Sequence, residues 1–221
     1  MKIIAITGGV AAGKNLVAKI FEKYGAEIFD ADDEVHKILN FDTPTIDQIS
    51  KIFPESLIDD KISRSILGKI VFTDKQKLKI LENIIHPKIQ QKYQEFILSN
   101  QAKNQEIVVL NIPLLLENNQ SSNQSQSPSY NFDYLIALRC AKEIRKQRFI
   151  KRFIENSFLI PNSDLESKKI EKRFDEIVKL QISDEMRFSK ADFIIDNSKD
   201  IQHTEMQIKE FFNKFNIAKI S

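Results

Sequence analysis

The chain has 221 residues, 42% of them hydrophobic, which is enough to bury a sizeable core, and its 33 lysines and arginines nearly balance 31 acidic residues. A net charge of +2 provides no field that would draw the whole molecule to nucleic acid or a membrane surface, so any basic site is local. The single cysteine, Cys140, excludes an internal disulfide; the N-terminus lacks a signal-peptide core and no apolar stretch approaches ~18 residues, so a cytoplasmic location is expected.

Short apolar runs at residues 2–7, 26–29, 107–112, 134–138 and 193–195 alternate with longer helical patterns. Such alternation predicts an α/β fold in three layers, a parallel sheet covered by helices on both faces. The first helix, residues 14–24, closes on Gly25 as on a C-cap. Residues 74–99 carry helical periodicity, and the step from His86 to Pro87 predicts a break into two helices. Residues 118–131, NNQSSNQSQSPSYN, lack the apolar side chains that offset the entropy of ordering and predict a mobile surface loop with no part in the chemistry. A last helix over 201–217 sets Met206, Ile208, Phe211, Phe212 and Phe215 at helical spacing, a stripe expected to face the core.

After the first strand, Gly8, Gly9, Val10, Ala11, Ala12, Gly13, Lys14 and Asn15 fit G-x-x-x-x-G-K followed by Asn where Ser or Thr is usual. Backbone N–H groups that converge on phosphate oxygens need glycine where a Cβ would obstruct, and the next helix offers its positive end. With 5 glycines in the chain, a chance match is expected in about one such chain in a hundred, and this one falls at a strand-to-helix junction. The motif predicts that Gly8, Gly9, Ala11, Ala12, Gly13, Lys14, Asn15 and Leu16 cradle the phosphates of ATP, Lys14 supplying a cation; an ordinary glycine turn is the alternative. Asn15 has no hydroxyl for Mg2+, although its amide oxygen is a neutral ligand that could substitute. Ala11 would be strained by ~1 kcal/mol if it took a positive φ.

Asp30 and Asp32 end the second strand, and residues two apart on a strand share a face, so both carboxylates are expected at the sheet's C-terminal edge, where open α/β sheets bind ligands. A kinase acting on an alcohol needs one carboxylate at the attacking hydroxyl and a second group near the metal. Helix capping by the run Asp32, Asp33 and Glu34 is an equal alternative. His36, four residues beyond Asp32, can face the same site or be structural. Residues 139–152 hold seven basic side chains and four of the chain's seven arginines. Arg145, Arg148 and Arg152 fall on one helical face, as bidentate phosphate contacts require, with a solvated charged face as the alternative. Residues 157–163 predict a lid loop that excludes water from ATP.

In order and spacing, ITGGVAAGK at residues 6–14, DAD at 30–32, Arg64 with LGKIVF at 67–72, Ile84 to Pro87, Pro113 to Leu115 with Glu117, and ADFIIDN at 191–197 resemble dephospho-CoA kinase over nearly the whole chain. The resemblance implies a P-loop nucleoside triphosphate hydrolase fold with a five-stranded parallel sheet. It implies one domain, 1–221, with a helical CoA-binding insertion at about 46–99 and a lid at about 141–181. The activity implied is ATP-dependent phosphorylation of the ribose 3′-hydroxyl of dephospho-CoA, giving CoA and ADP, the last step of coenzyme A biosynthesis. Asp32 would be the base, Asp30 would support substrate and, with Asn15, Mg2+; Arg148 and Arg152 would clamp ATP, Arg148 acting in catalysis beside Lys14.

Substrate contacts are then expected from Asp30, Asp32, His36, Arg64 and His86. Dephospho-CoA is the partner, without nucleic acid or membrane, and the protein is expected to be a monomer or weak homo-oligomer. The family's E-x-Q-x-x-R-x-x-x-R is kept by Glu143, Arg148 and Arg152, with Arg145 in place of Gln. Ala11 and Ala12 replace the usual Gly and Ser, and Asn111 stands where many members carry Asp. Gln181, Arg187 and Asp192 fall at the family's spacing, but Ile177 replaces an arginine. Two rival readings are another nucleoside or nucleotide kinase of the same fold and, because of Asn15 and Ala11, a non-catalytic ATP-binding protein.

Overall fold

The structure is a computed structural model that describes residues 1–113, 115–118, 130–157 and 164–217. The chain runs β1 (Lys2–Gly8), α1 (Lys14–Lys23), β2 (Glu27–Asp30), α2 (Ala31–Phe41), α3 (Thr43–Ile52), a small hairpin of β3 (Leu57–Ile58) and β4 (Lys61–Ile62), α4 (Arg64–Phe72) and α5 (Lys75–Ala102). It continues through β5 (Ile107–Asn111), α6 (Leu115–Asn118), β6 (Tyr134–Arg139), α7 (Lys142–Ser157), α8 (Asp164–Leu180), α9 (Asp184–Ser189), β7 (Phe193–Asp196) and α10 (Ile201–Lys214). Two compact units result, one of Met1–Ile28, Asn104–Glu117 and Asn131–Ser221, the other of Phe29–Lys103 and Asn118–Tyr130.

The first unit is built on a five-stranded sheet of order β2-β5-β1-β6-β7. β1 pairs in parallel with β5 on one side and β6 on the other, and β6 pairs in parallel with β7. Ile4, Ala5, Ile6 and Ile107 to Leu110 are all fully buried, so these strands read as unbroken apolar runs. The connections diverge at β1, which places the crevice beyond its C-terminal end at the switch point where such sheets bind ligands. Phe21 of α1 meets Phe211 and Phe212 of α10 edge to face, with centroids 6.0 and 5.4 Å apart. The expected stripe on α10 includes Ile208, Phe211 and Phe212 but not Met206, which is 51% exposed. Met206 precedes Ile208 by two residues, about 200° of helix rotation, and so turns away from the core.

The second unit is helical. Its α5 is one helix of 28 residues that passes through Pro87, so the break expected there does not occur. A proline inside a helix costs about 3 kcal/mol or more. Ile84 and Ile85 before it and Ile89 and Tyr93 after it are all buried, at ~1.5–3 kcal/mol for each large apolar side chain, which outweighs the lost bond. Tyr93 also joins an aromatic cluster with Phe29 and Tyr130, at centroid distances of 5.8 and 5.1 Å. The polar stretch 118–131 therefore has an apolar anchor in Tyr130, whose burial pushes its hydroxyl well above the ordinary tyrosine range. The stretch's residues 119–129, and 158–163 of the expected lid loop, lie outside the described residues. Among the described residues no helix is long and apolar enough to cross a membrane.

Candidate phosphate-transfer site

β1 ends on Gly8, where an added Cβ would lie 3.1 Å from Leu138 Cβ and 3.2 Å from Ala12 Cβ. The loop turns through Ala11 at φ 58° and Gly13 at φ 97° before α1 begins at Lys14. Both reasons for glycine apply at Gly13, because a Cβ there would also sit 2.1 Å from Asn197 Nδ2. Ala11 accepts the left-handed conformation at a cost of ~1–2 kcal/mol. Two bonds set the loop's course: Ala12 N–H donates to Gly9 O at 3.0 Å, and the fully buried Asn197 donates from Nδ2 to Ala12 O at 2.8 Å. Asn197 in turn accepts from Thr204 Oγ1 at 2.9 Å. No side chain caps α1 and its first turn holds no acid, which leaves the positive helix end to an anion.

A cavity of about 310 Å³ is lined by Ala11, Ala12, Gly13, Lys14, Asn15, Arg148 and Arg152. Three of the seven are cations and none is a carboxylate, which is the composition of a polyphosphate site. Lys14 Nζ donates to Gly8 O at 3.1 Å, and Arg148 approaches Cys140 Sγ at 3.5 Å. Burial pushes the Cys140 thiol up, and the Arg148 guanidinium works against that. The lysines of α7 have a different employment: Lys142 pairs with Asp175 of α8 at 2.9 Å, and Lys146 with Glu171 at 2.7 Å. Lys142 thereby lowers the Asp175 carboxyl, and Glu171 raises the Lys146 ammonium.

Three residues of the loop and α7 have surroundings of their own. Arg145 does not stand with Arg148 and Arg152 on the cavity; it is 6% exposed and is drawn to the carboxylate of Asp184 on α9, bonding from Nη2 to Oδ2 at 3.2 Å. The Leu16 side chain packs into the apolar core beside the buried Val17 and Phe21, so what it offers the loop is its backbone N–H. Gly9 turns from the cavity towards Arg145, whose Nη1 lies 1.8 Å from where its Cβ would be.

Sequence reasoning missed Asn111 as a site residue. It ends β5 at 3% exposure, and its Nδ2 donates to Asn15 Oδ1 at 3.0 Å. The available signal was its position at the C-terminal end of a strand beside β1. Asn15 keeps one further lone pair on that oxygen. A single neutral oxygen suits a magnesium ion already carried by nucleotide phosphates, and among the described residues no cluster of three or more His, Cys, Asp or Glu is placed to hold a metal.

In the helical unit, β2 stops at Asp30, and Asp32 belongs to the first turn of α2. The two carboxylates are thus not neighbours on one strand face. Asp30 is the N-cap, its Oδ1 accepting from Asp32 N–H at 3.0 Å and Asp33 N–H at 3.2 Å, while Asp32, Asp33 and Glu34 fall in the first turn, where the capping alternative puts them. Asp32 and His36 are exposed on α2, and Asn40 Nδ2 donates to the His36 carbonyl at 2.6 Å. Arg64 is exposed at the start of α4, and His86 is half-buried in mid α5.

The sheet with its switch point at β1, the glycine loop on the first turn of α1 and the arginines of α7 define a P-loop kinase. A model of the dephospho-CoA kinase family matches residues 2–203. The chain belongs to that family of ATP-dependent phosphotransferases. It is 35% identical over 208 residues to the dephospho-CoA kinase of Bartonella henselae, covering 94% of this chain and 95% of that one. Among solved structures it is similar to a dephospho-CoA kinase from Campylobacter jejuni, with a TM-score of 0.62 and 27% identity over 97% of this chain and 98% of that one. TT1252 from Thermus thermophilus shares the fold, with a TM-score of 0.69 at 21% identity over 96% and 97% of the two chains.

Proposed function

We infer that this chain transfers the γ-phosphoryl group of ATP to the ribose 3′-hydroxyl of dephospho-CoA, yielding CoA and ADP. The observation that carries the reading is the cavity of about 310 Å³ in which the loop, Lys14, Arg148 and Arg152 converge without a lining carboxylate. Loop N–H groups and Lys14 bind the triphosphate, and Arg148 balances the charge that spreads over the moving phosphoryl group and the departing ADP. Asn15 would give an oxygen ligand to a magnesium ion carried by the nucleotide substrate, which would neutralise phosphate charge there. Asp32 takes the proton of the attacking 3′-hydroxyl as the new P–O bond forms and the bond to ADP breaks. Asp30 is committed to capping α2 and supports Asp32 by fixing that first turn.

His36, Arg64 and His86 are carried by the helical unit and are assigned to the acceptor. In this reading the enzyme acts in the cytoplasm as a monomer or weak homo-oligomer, and its small net charge of +2 gives no reason to invoke nucleic acid or membrane. Another nucleoside or nucleotide kinase would share the loop and α7, so the test is a panel of acceptors. ADP release with dephospho-CoA, and not with adenosine, AMP or deoxynucleosides, is expected. Equal release with a nucleoside would refute the assignment.

A further inference from the structure

The outer turn of the phosphate-binding loop is held from behind by side chains that the proposed transfer does not use. Val10 N–H donates to Gln181 Oε1 at 2.8 Å. Gln181 directly follows α8, so the end of that helix is bonded to the loop. Val10 and Ala11 also pack against the cluster of Phe149, Ile170 and Phe174 that joins α7 to α8. Arg145 closes the third side, its guanidinium filling the space that a Cβ on Gly9 would need. That guanidinium is fixed by Asp184, which bonds the 1%-exposed Arg187 at 2.6 Å, and Arg187 Nη2 donates to Ile182 O at 3.3 Å beside Gln181.

The bond fixes the peptide between Gly9 and Val10, which leads directly into the turn at Ala11. Ala11 lines the cavity at φ 58°, a conformation disfavoured for any residue with a Cβ, and the loop must hold it before phosphate arrives if binding is not to be weakened by reordering. We propose that Gln181 is a positioning residue for nucleotide binding: by accepting the Val10 N–H it fixes the Ala11 turn in its phosphate-binding conformation, and the Arg145, Asp184 and Arg187 network keeps Gln181 in place. The proposal rests on the reading of this loop as the ATP site.

The test compares wild type with Gln181→Met, which has similar length but only a weak thioether acceptor, and Gln181→Glu, which retains an acceptor oxygen. ADP affinity is measured by calorimetry, and exchange of the Val10 amide proton by NMR in the nucleotide-free protein. Gln181→Met is expected to weaken ADP by about tenfold, the effect of one hydrogen bond, and to speed Val10 exchange, while Gln181→Glu restores slow exchange. Should Gln181→Met not purify, Gln181→Asn, whose amide falls one methylene short, makes the same test. Unchanged ADP affinity and Val10 exchange in a variant that only melts earlier would overturn the proposal. Wild type that failed to bind ADP would instead overturn the nucleotide reading beneath it.

Discussion

The two compact units carry their candidate residues in opposite ways. In the sheet unit the phosphate loop is defined by backbone: two positive φ angles, a carbonyl held by the buried Asn197, and glycines whose missing Cβ atoms leave room for Leu138, Arg145 and Asn197. In the helical unit Asp32, His36 and Arg64 are exposed side chains on first and second helical turns, and Asp30 caps α2. Phosphate is the same ligand for every kinase and suits a rigid cradle. An acceptor must be told apart from other alcohols, and side chains on helices can be exchanged without rebuilding the backbone.

The comparison breaks most directly at Asp32. Asp32→Asn is expected to lower turnover by about 10²–10⁴, the usual contribution of a general base, while ADP affinity stays within about threefold. Loss of ADP binding in that variant would put Asp32 on the nucleotide. Arg148→Ala should reduce turnover by about 10²–10³, because its charge is needed chiefly as the phosphoryl group moves, with a smaller rise in KM for ATP. A change in melting temperature alone would return the arginine face of α7 to the role of a solvated surface.

A finer test lies in the amide pair of Asn15 and Asn111. In a double-mutant cycle of Asn15→Ala and Asn111→Ala, read as ADP affinity at fixed magnesium, a coupling of about 0.5–1.5 kcal/mol is expected. Additive effects would mean that the 3.0 Å contact does not orient Asn15. The smallest effect concerns pH. Burial works against ionisation of Asp196, but the hydrogen bonds from Ser198 outweigh it and hold this carboxyl below the ordinary aspartate range. A depressed carboxyl stabilises the fold above its unfolded pKa, and the contribution is lost as pH falls through the folded one. Asp196→Asn should therefore melt slightly earlier at pH 7 and converge with wild type as pH falls through the depressed pKa of the folded carboxyl; an equal gap at neutral and at acid pH would contradict the assignment.

What could be read from the sequence follows the same division. The loop was legible because its requirements are local: glycine at Gly8 and Gly13, Lys14 next to it, and an apolar strand before it. The partners that hold it were not, since Asn111, Gln181 and Asn197 lie 96, 171 and 185 residues from the loop positions they bond. No periodicity announces a contact of that separation. Arg145 was misplaced because helical spacing gives a face but not which neighbour fills it. Pro87 was read as a break because local rules omit the buried Ile84, Ile85, Ile89 and Tyr93, which keep α5 continuous through it.

The most direct measurement is ADP formation by the purified chain with ATP, magnesium and dephospho-CoA as the sole acceptor, followed by location of the new phosphate on the product by phosphorus–proton NMR. The account predicts acceptor-dependent ADP, one phosphate per ADP at the ribose 3′ position, and near-total loss of both in Asp32→Asn. ADP released at the same rate without dephospho-CoA, or a phosphate at any other position, would contradict it.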